Sequence, residues 1–168
     1  VSDVVTVPPG YSAELLVAWG DPIMPGGTSF RGDASETAAE QLKQFGEHCD
    51  GLHYFPLYDD NGRFASDIGL LCVNNEYTHE EVLFPDGQVG AGYTIAKTRK
   101  SQAAHGVSVA EIRRKVGRGR SKAKWKGEWK GDWSVNRYSM YGRRITGNTP
   151  VLISGAAAGH PLMQTKEF

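Results

Sequence analysis

The chain has 168 residues and a mass of 18.3 kDa, with 19 basic and 19 acidic side chains, so its formal charge is zero. A mean hydropathy of −0.43 goes with the lack of any apolar run near the ~20 residues that cross a bilayer, which excludes a membrane-spanning helix. Four Trp, seven Tyr and six Phe can supply a core that a disordered chain would lack, while two cysteines are too few for a disulfide scaffold or an all-cysteine zinc site.

The neutral total conceals a polarised chain. Residues 1–90 hold 15 acidic and 3 basic groups, and residues 91–168 hold 4 acidic and 16 basic groups. Such a split allows a hard-cation site in the first half with an anion site in the second, two complementary surfaces, or halves that neutralise each other within one fold. Val1 opens without a basic and apolar leader, which leaves a cytosolic protein or one whose leader has been removed.

In chain order, Pro8-Pro9-Gly10 makes a turn, and the alternation of Tyr11, Ala13, Leu15, Val17 and Trp19 predicts a strand within Val7 to Trp19. Asp33 and Glu36 resemble a capping box, and the spacing of Ala38, Leu42 and Phe45 predicts a helix over Ala34 to Phe45, ending at Gly46. Leu52 to Tyr58 and Ile68 to Tyr77 read as strands joined through Asp59-Asp60-Asn61-Gly62, and Pro56 places the first of them at an edge or bulge. Thr94 to Ala104 reads as a helix, Val107 to Ile112 as a strand, and Trp133, Val135 and Tyr138 as a returning strand. Between these last two, Arg113 to Lys130 carries nine Lys or Arg in eighteen positions and reads as an exposed basic loop. Val151 to Ser154 is a short apolar run before the permissive Gly155–Gly159 stretch. The fold class that follows is mainly β with short helices.

Two segments concentrate groups able to hold a cation. Glu47, His48, Cys49, Asp50 and His53 offer oxygen, imidazole and thiol donors, although a polar loop entering a strand accounts for the same spacing. Cys72, Asn74 and Glu76 share one face of a predicted strand, with Val73 and Asn75 on the other, and His79, Glu80 and Glu81 follow. Amide and carboxylate oxygens at a strand end suit calcium, whereas iron would favour carboxylate, imidazole and thiolate. His105 and His160 are isolated histidines, and Arg143-Arg144 could take a phosphate through a guanidinium fork. A G-x-x-x-x-G-K-[ST] phosphate loop, a G-x-S-x-G elbow and an H-E-x-x-H zinc motif are all absent, so the usual NTPase, serine hydrolase and zinc protease readings lose their support.

Taken in order, Val7-Pro-Pro-Gly-Tyr11, Ala18-Trp-Gly-Asp-Pro22, Gln44-Phe-Gly46, Asp50 with Phe55-Pro-Leu57, and Gly69-Leu-Leu-Cys-Val-Asn-Asn-Glu-Tyr-Thr78 resemble the amino-terminal part of PhoX-type alkaline phosphatases. Phe84-Pro85, Ala103-Ala-His-Gly106, Val109-Ala-Glu-Ile112, Arg143-Arg-Ile-Thr146 and Ser154-Gly-Ala-Ala-Ala-Gly-His-Pro-Leu162 extend the resemblance. It implies a β-propeller-like architecture, of which 1–168 would be a single, incomplete domain, either a fragment or a truncated member. It further implies hydrolysis of phosphate monoesters, calcium and iron as cofactors, and a periplasmic or secreted location with the leader absent from this chain.

Carried onto this sequence, the resemblance gives Asp50, Cys72, Asn74 and Glu76 as metal ligands, Glu76 and Arg144 as catalytic, and His105, Arg144 and His160 as substrate-binding. Asn75 stands where the family's run usually has histidine, and the family's downstream Trp-Gly-Thr and Cys-Glu-Glu motifs are missing. Two other readings remain. One is a non-catalytic calcium-binding fragment. The other is a nucleic-acid-binding module using the cations and tryptophans of 113–130, against which the acidic first half argues. No membrane partner is expected, and open strand edges would favour self-association.

Overall fold

A computed structural model describes residues 4–87, 92–114 and 132–163. Five antiparallel strands form one sheet: β1 (Cys49–Tyr58), β2 (Phe64–Asn75), β3 (Gly106–Arg114), β4 (Trp133–Val135) and β5 (Arg143–Ile145). The order is β1-β2-β3, and the far edge of β3 is shared end to end. Ile112–Arg114 pair with β4, and Val107–Val109 pair with β5. Short helices α1 (Ala38–Gln41) and α2 (Glu80–Leu83) and a longer α3 (Ile95–Ala104) complete the regular structure, with two 3₁₀ turns at Gly155–Ala157 and Pro161–Met163.

The long β1–β2 hairpin follows from its turn chemistry. Asp59 Oδ1 accepts from the backbone N–H groups of Asn61 and Arg63, both at 2.9 Å, and Gly62 takes φ +72°, which other L-residues resist. Pro56 cannot donate to a ladder, and β1 accommodates it as the edge strand, with a register shift between Pro56 and Tyr58. At α3, Thr94 caps the first turn by accepting from Lys97 N at 3.3 Å.

Two predicted elements come out differently. The helix expected over Ala34 to Phe45 shrinks to four residues. Asp33 spends its carboxylate on an Asx turn to Ser35 N, and Ala34 sits at φ +58°, outside helical space. Thr37 and Glu40 make the capping box instead, and Pro22 bridges Gln44 to pull the chain out of the helix. Val7 to Trp19 forms no strand among the described residues, because its alternating side chains find no partner strand. Tyr11 and Leu15 are left exposed, and only the end of the segment, at Val17 and Trp19, packs inward. Of the basic segment, Arg113 and Arg114 end β3, and 115–130 lies outside the described residues.

One face of the sheet carries the core. Val73 and Ala110 pack with Ile23 and Phe45, and Val17, Met24, Leu71 and Val135 close around them. Ile23 and Phe45 reach the sheet because residues 20–23 and 43–45 bind each other through Ile23 N to Lys43 O (3.0 Å), Phe45 N to Asp21 O (2.8 Å) and Gly20 N to Phe45 O (3.0 Å). Burial of side chains of this size stabilises by about 1.5–3 kcal/mol each. A second cluster joins Leu83, Phe84 and Ala104 under Trp19, tying α2 to α3. Beside it the Lys100 ammonium is buried and donates to the carbonyls of Ala34 (2.5 Å) and Leu83 (2.8 Å).

Two predictions test this packing. Gly106 has φ +111°, and a Cβ there would lie 2.1 Å from Ile145 O, so Gly106→Ala must break the β3–β5 pairing. A loss of at least about 2 kcal/mol in urea unfolding is expected. Glu111 is buried, which alone would raise its carboxyl pKa, but donors from Ser139 (2.5 Å), Asn136 (3.0 Å) and Arg113 (2.6 Å) outweigh burial and hold it below the ordinary value. Its contribution is therefore complete above the unfolded carboxylate range and is lost as pH falls through the lower folded value. Glu111→Gln should cost about 1–3 kcal/mol at pH 7, and its stability gap to the parent should narrow on acidification.

Candidate metal centre at the end of the β1–β2 ladder

The segment leading into β1 is held from below by polar groups on the buried face of β2, β3 and β5. Register places Asn75 beside Gly106, and Ser108 beside Arg144. The Arg144 guanidinium donates to the carbonyls of Gln44 (2.8 Å), Ala104 (2.7 Å) and His105 (3.1 Å). Desolvation lowers its pKa to about 10, which leaves it charged near neutral pH. Ser108 donates to Asn75 Oδ1 at 2.6 Å and accepts from Gly46 N at 3.4 Å, while Asn75 Nδ2 donates to Glu47 O at 3.1 Å. Gly46 lies so close that a Cβ would sit 2.4 Å from the Asn75 side chain.

On this base the turn at 47–48 faces the segment leaving β2. Cys49 pairs with Asn75, so the residues flanking that pair meet. Glu76 N donates to His48 O at 3.0 Å, His79 N donates to Glu47 Oε1 at 2.8 Å, and the Tyr77 ring stacks on His48 with centroids 3.7 Å apart. His48 holds φ +49°, an uncommon conformation for a residue with a Cβ. His48 Nε2 and His79 Nδ1 are 2.6 Å apart, and Glu47 Oε2 lies 3.8 Å from the first and 3.5 Å from the second. Among the described residues, these three are the group of His, Cys, Asp or Glu side chains whose donor atoms converge.

The residues named from the sequence distribute around this point. Asp50 and Asn74 are exposed at the ladder's end, with the Asn74 amide against Gly51, and Glu76 is exposed next to them. Cys72 lies two residues further along the same face, half-buried between His53 and Val109, and burial raises its thiol pKa despite the opposing influence of Arg143. His105 caps α3 and its Nδ1 lies 2.8 Å from Ser101 O. His160 is exposed just before the 3₁₀ turn at Pro161–Met163, where its Nδ1 accepts from Leu162 N at 3.2 Å. Arg144 faces main-chain carbonyls rather than solvent. Thus Asp50, Asn74 and Glu76 gather at one end, while Cys72, His105, Arg144 and His160 occupy separate positions. Missing from the sequence-based ligand set are Glu47, His48 and His79, which fall in the two donor-rich segments and meet only through the β1–β2 register.

Calcium takes six to eight oxygens, and Asp50, Asn74 and Glu76 supply oxygen donors of that kind at an accessible strand end. Cys72 offers the thiol that iron accepts. These are donor types that the two ions accept, while among the described residues the His, Cys, Asp or Glu donor atoms that converge are those of Glu47, His48 and His79.

Comparison with known proteins follows the same line. The sequence matches the family described as "Alkaline phosphatase PhoX" over residues 1–168. A comparison with curated proteins gives no match. The structure is similar to that of "Pseudomonas fluorescens PhoX in complex with vanadate, a transition state analogue", with 36% sequence identity and a TM-score of 0.75. The similarity covers 95% of this chain and 24% of that one, so the chain spans about a quarter of the solved relative. The expected fold class is upheld, mainly β with short helices as part of a β-propeller-like architecture. On the full-length family match and this identity, the chain belongs to the PhoX alkaline phosphatase family.

Proposed function

We propose that the chain forms the amino-terminal part of a metal-dependent alkaline phosphatase that hydrolyses phosphate monoesters in the periplasm or outside the cell. The observation that carries this reading is 36% identity, across 95% of the chain, to a PhoX structure holding vanadate. Asp50, Asn74 and Glu76 would hold calcium, and Cys72 would contribute to iron. Such cations neutralise the non-bridging phosphate oxygens and polarise the phosphoryl group.

The chain's own side chains have separable tasks. Glu76 is fixed through its backbone to His48 and its side chain is exposed, where the carboxylate would hold a cation. Arg144 acts as a positioning residue by holding Gln44, Ala104 and His105, and so sets the height of the segment that enters β1. Exposed Arg143, beside Val109 in the ladder and across β3 from Cys72, is placed to attract an anion to the same face. His105 and His160 are the substrate-binding residues that the resemblance gives, and they stand apart from Asp50, Asn74 and Glu76. Among the described residues no strand pairs with the outer edge of β1, and that edge would offer a route to self-association.

Hydrolysis of p-nitrophenyl phosphate at alkaline pH should require calcium and iron, stop with EDTA, and fall at least about 100-fold in Glu76→Gln. Calcium-dependent stabilisation of a folded chain without turnover would instead mark a binding portion of the enzyme. Arg144→Lys separates positioning from substrate contact. A drop of about 2 kcal/mol in unfolding free energy is expected, whereas unchanged stability with lost activity would return Arg144 to the substrate.

A further inference from the structure

The trio at the turn into β1 differs in chemistry from the oxygen donors beside it. Two imidazole nitrogens and one carboxylate oxygen form a triangle with sides of 2.6, 3.5 and 3.8 Å. Ligands at 2.0–2.1 Å from a tetrahedral zinc ion stand ~3.3 Å apart, a value those sides straddle. We propose that Glu47, His48 and His79 form a binding site for one divalent first-row transition metal of the zinc type, distinct from the calcium and iron ligands proposed above.

Each ligand is oriented by something other than the metal. Glu47 uses Oε1 to accept from His79 N, which leaves Oε2 turned toward both imidazoles. His48 is clamped by the stacked Tyr77 ring and by Glu76 N on its carbonyl. The Glu47 carbonyl is tied down by Asn75, and that buried side chain is tied in turn to Ser108. His48 holds a left-handed backbone, and its ring centroid lies 4.2 Å from that of His79. The two nitrogens lie within hydrogen-bond distance of each other, and a cation between them would take a lone pair from each.

The donor set also decides the class of ion. A borderline ion accepts two imidazoles and a carboxylate, as zinc does in catalytic His₂Glu sites, whereas calcium and magnesium prefer oxygen alone. The Glu47 side chain is 12% exposed and the His79 side chain 54% exposed, so one side of the site opens to solvent and a fourth position remains for water or an anion. Geometrically the ion would fasten the entry of β1 to the segment between β2 and α2, adding to the bonds from Glu76 N to His48 O and from His79 N to Glu47.

Titration of the 168-residue chain with Zn²⁺ by calorimetry, and with Co²⁺ by visible absorption, tests this without reference to catalysis. One equivalent should bind, excess Ca²⁺ should not displace it, and the bound form should melt at a higher temperature. His79→Ala removes an exposed ligand and leaves the core intact, so circular dichroism should be unchanged while zinc affinity falls at least about 100-fold. Glu47→Gln should lower affinity in the same direction. Cys72→Ser and Glu76→Gln should leave it unaltered, which separates this site from the phosphatase reading. Absence of binding, binding indifferent to His79→Ala, or binding lost in Cys72→Ser would each overturn the assignment.

Discussion

A buried guanidinium is the constraint on which this part of the molecule depends. Arg144 brings a positive charge into the interior with no carboxylate among its hydrogen-bond partners in the described residues, and it is solvated by three carbonyl dipoles. Those carbonyls come from the end of the α1 loop and from the end of α3, while the arginine belongs to β5. One side chain therefore ties the loop after α1 to the end of α3 and to β5. A lysine could not do this equally well, because the three contacts use both terminal nitrogens of a planar fork. Asn75 and Ser108 continue the same polar layer beneath Gly46 and Glu47. The segment bearing Glu47 and His48 rests on main-chain bonds to buried side chains and on the Tyr77 ring stacked against His48.

How much of this could be read in advance depends on how local the determining interaction is. The β1–β2 hairpin is written in its Asp-Asp-Asn-Gly turn, and α3 in Thr94 and the Gly106 that follows it. Alternation in β2 also sorted its residues correctly, with Val73 and Asn75 inward and Cys72, Asn74 and Glu76 toward the less covered face. β5 escaped notice because three residues dominated by two arginines carry no apolar pattern, and the inward-facing arginine is justified only by distant carbonyls. Val7 to Trp19 misled for the opposite reason: alternation records what a strand would tolerate, and it is silent on whether a neighbour exists. Glu47, His48 and His79 were visible as donors, but their convergence rests on the Cys49–Asn75 register and on a left-handed backbone at His48.

The polarised charge distribution also has a local expression. Within the acidic half, Arg31 pairs with Glu36 and Glu40, and the Arg31 side-chain hydrogen bond holds the Glu40 carboxyl at about 2. Across the halves, Lys97 pairs with Asp86 at 2.7 Å, Lys100 donates to two carbonyls of the first half, and Arg144 donates to Gln44. Cations of the second half are thus used to fasten loops of the first. Asp50 and Glu76, the acidic groups at the ladder's end, take no part in these ion pairs.

The end-to-end sharing of β3 by β4 and β5 has a kinetic consequence. The β1–β2 turn closes over only a few residues, whereas Gly46 and Gln44 meet Ser108 and Arg144 across 62 and 100 positions. Loop closure of that length is slow to repay its entropy. The hairpin should therefore assemble early and wait, with one edge of β2 unprotected, until β3 docks. Only when Arg144 arrives with β5 does the turn at Gly46 acquire its final shape. The part of the molecule that carries the most chemistry is then the last to become ordered, and amide protons at 46–48 should exchange with solvent sooner than those in the middle of β2.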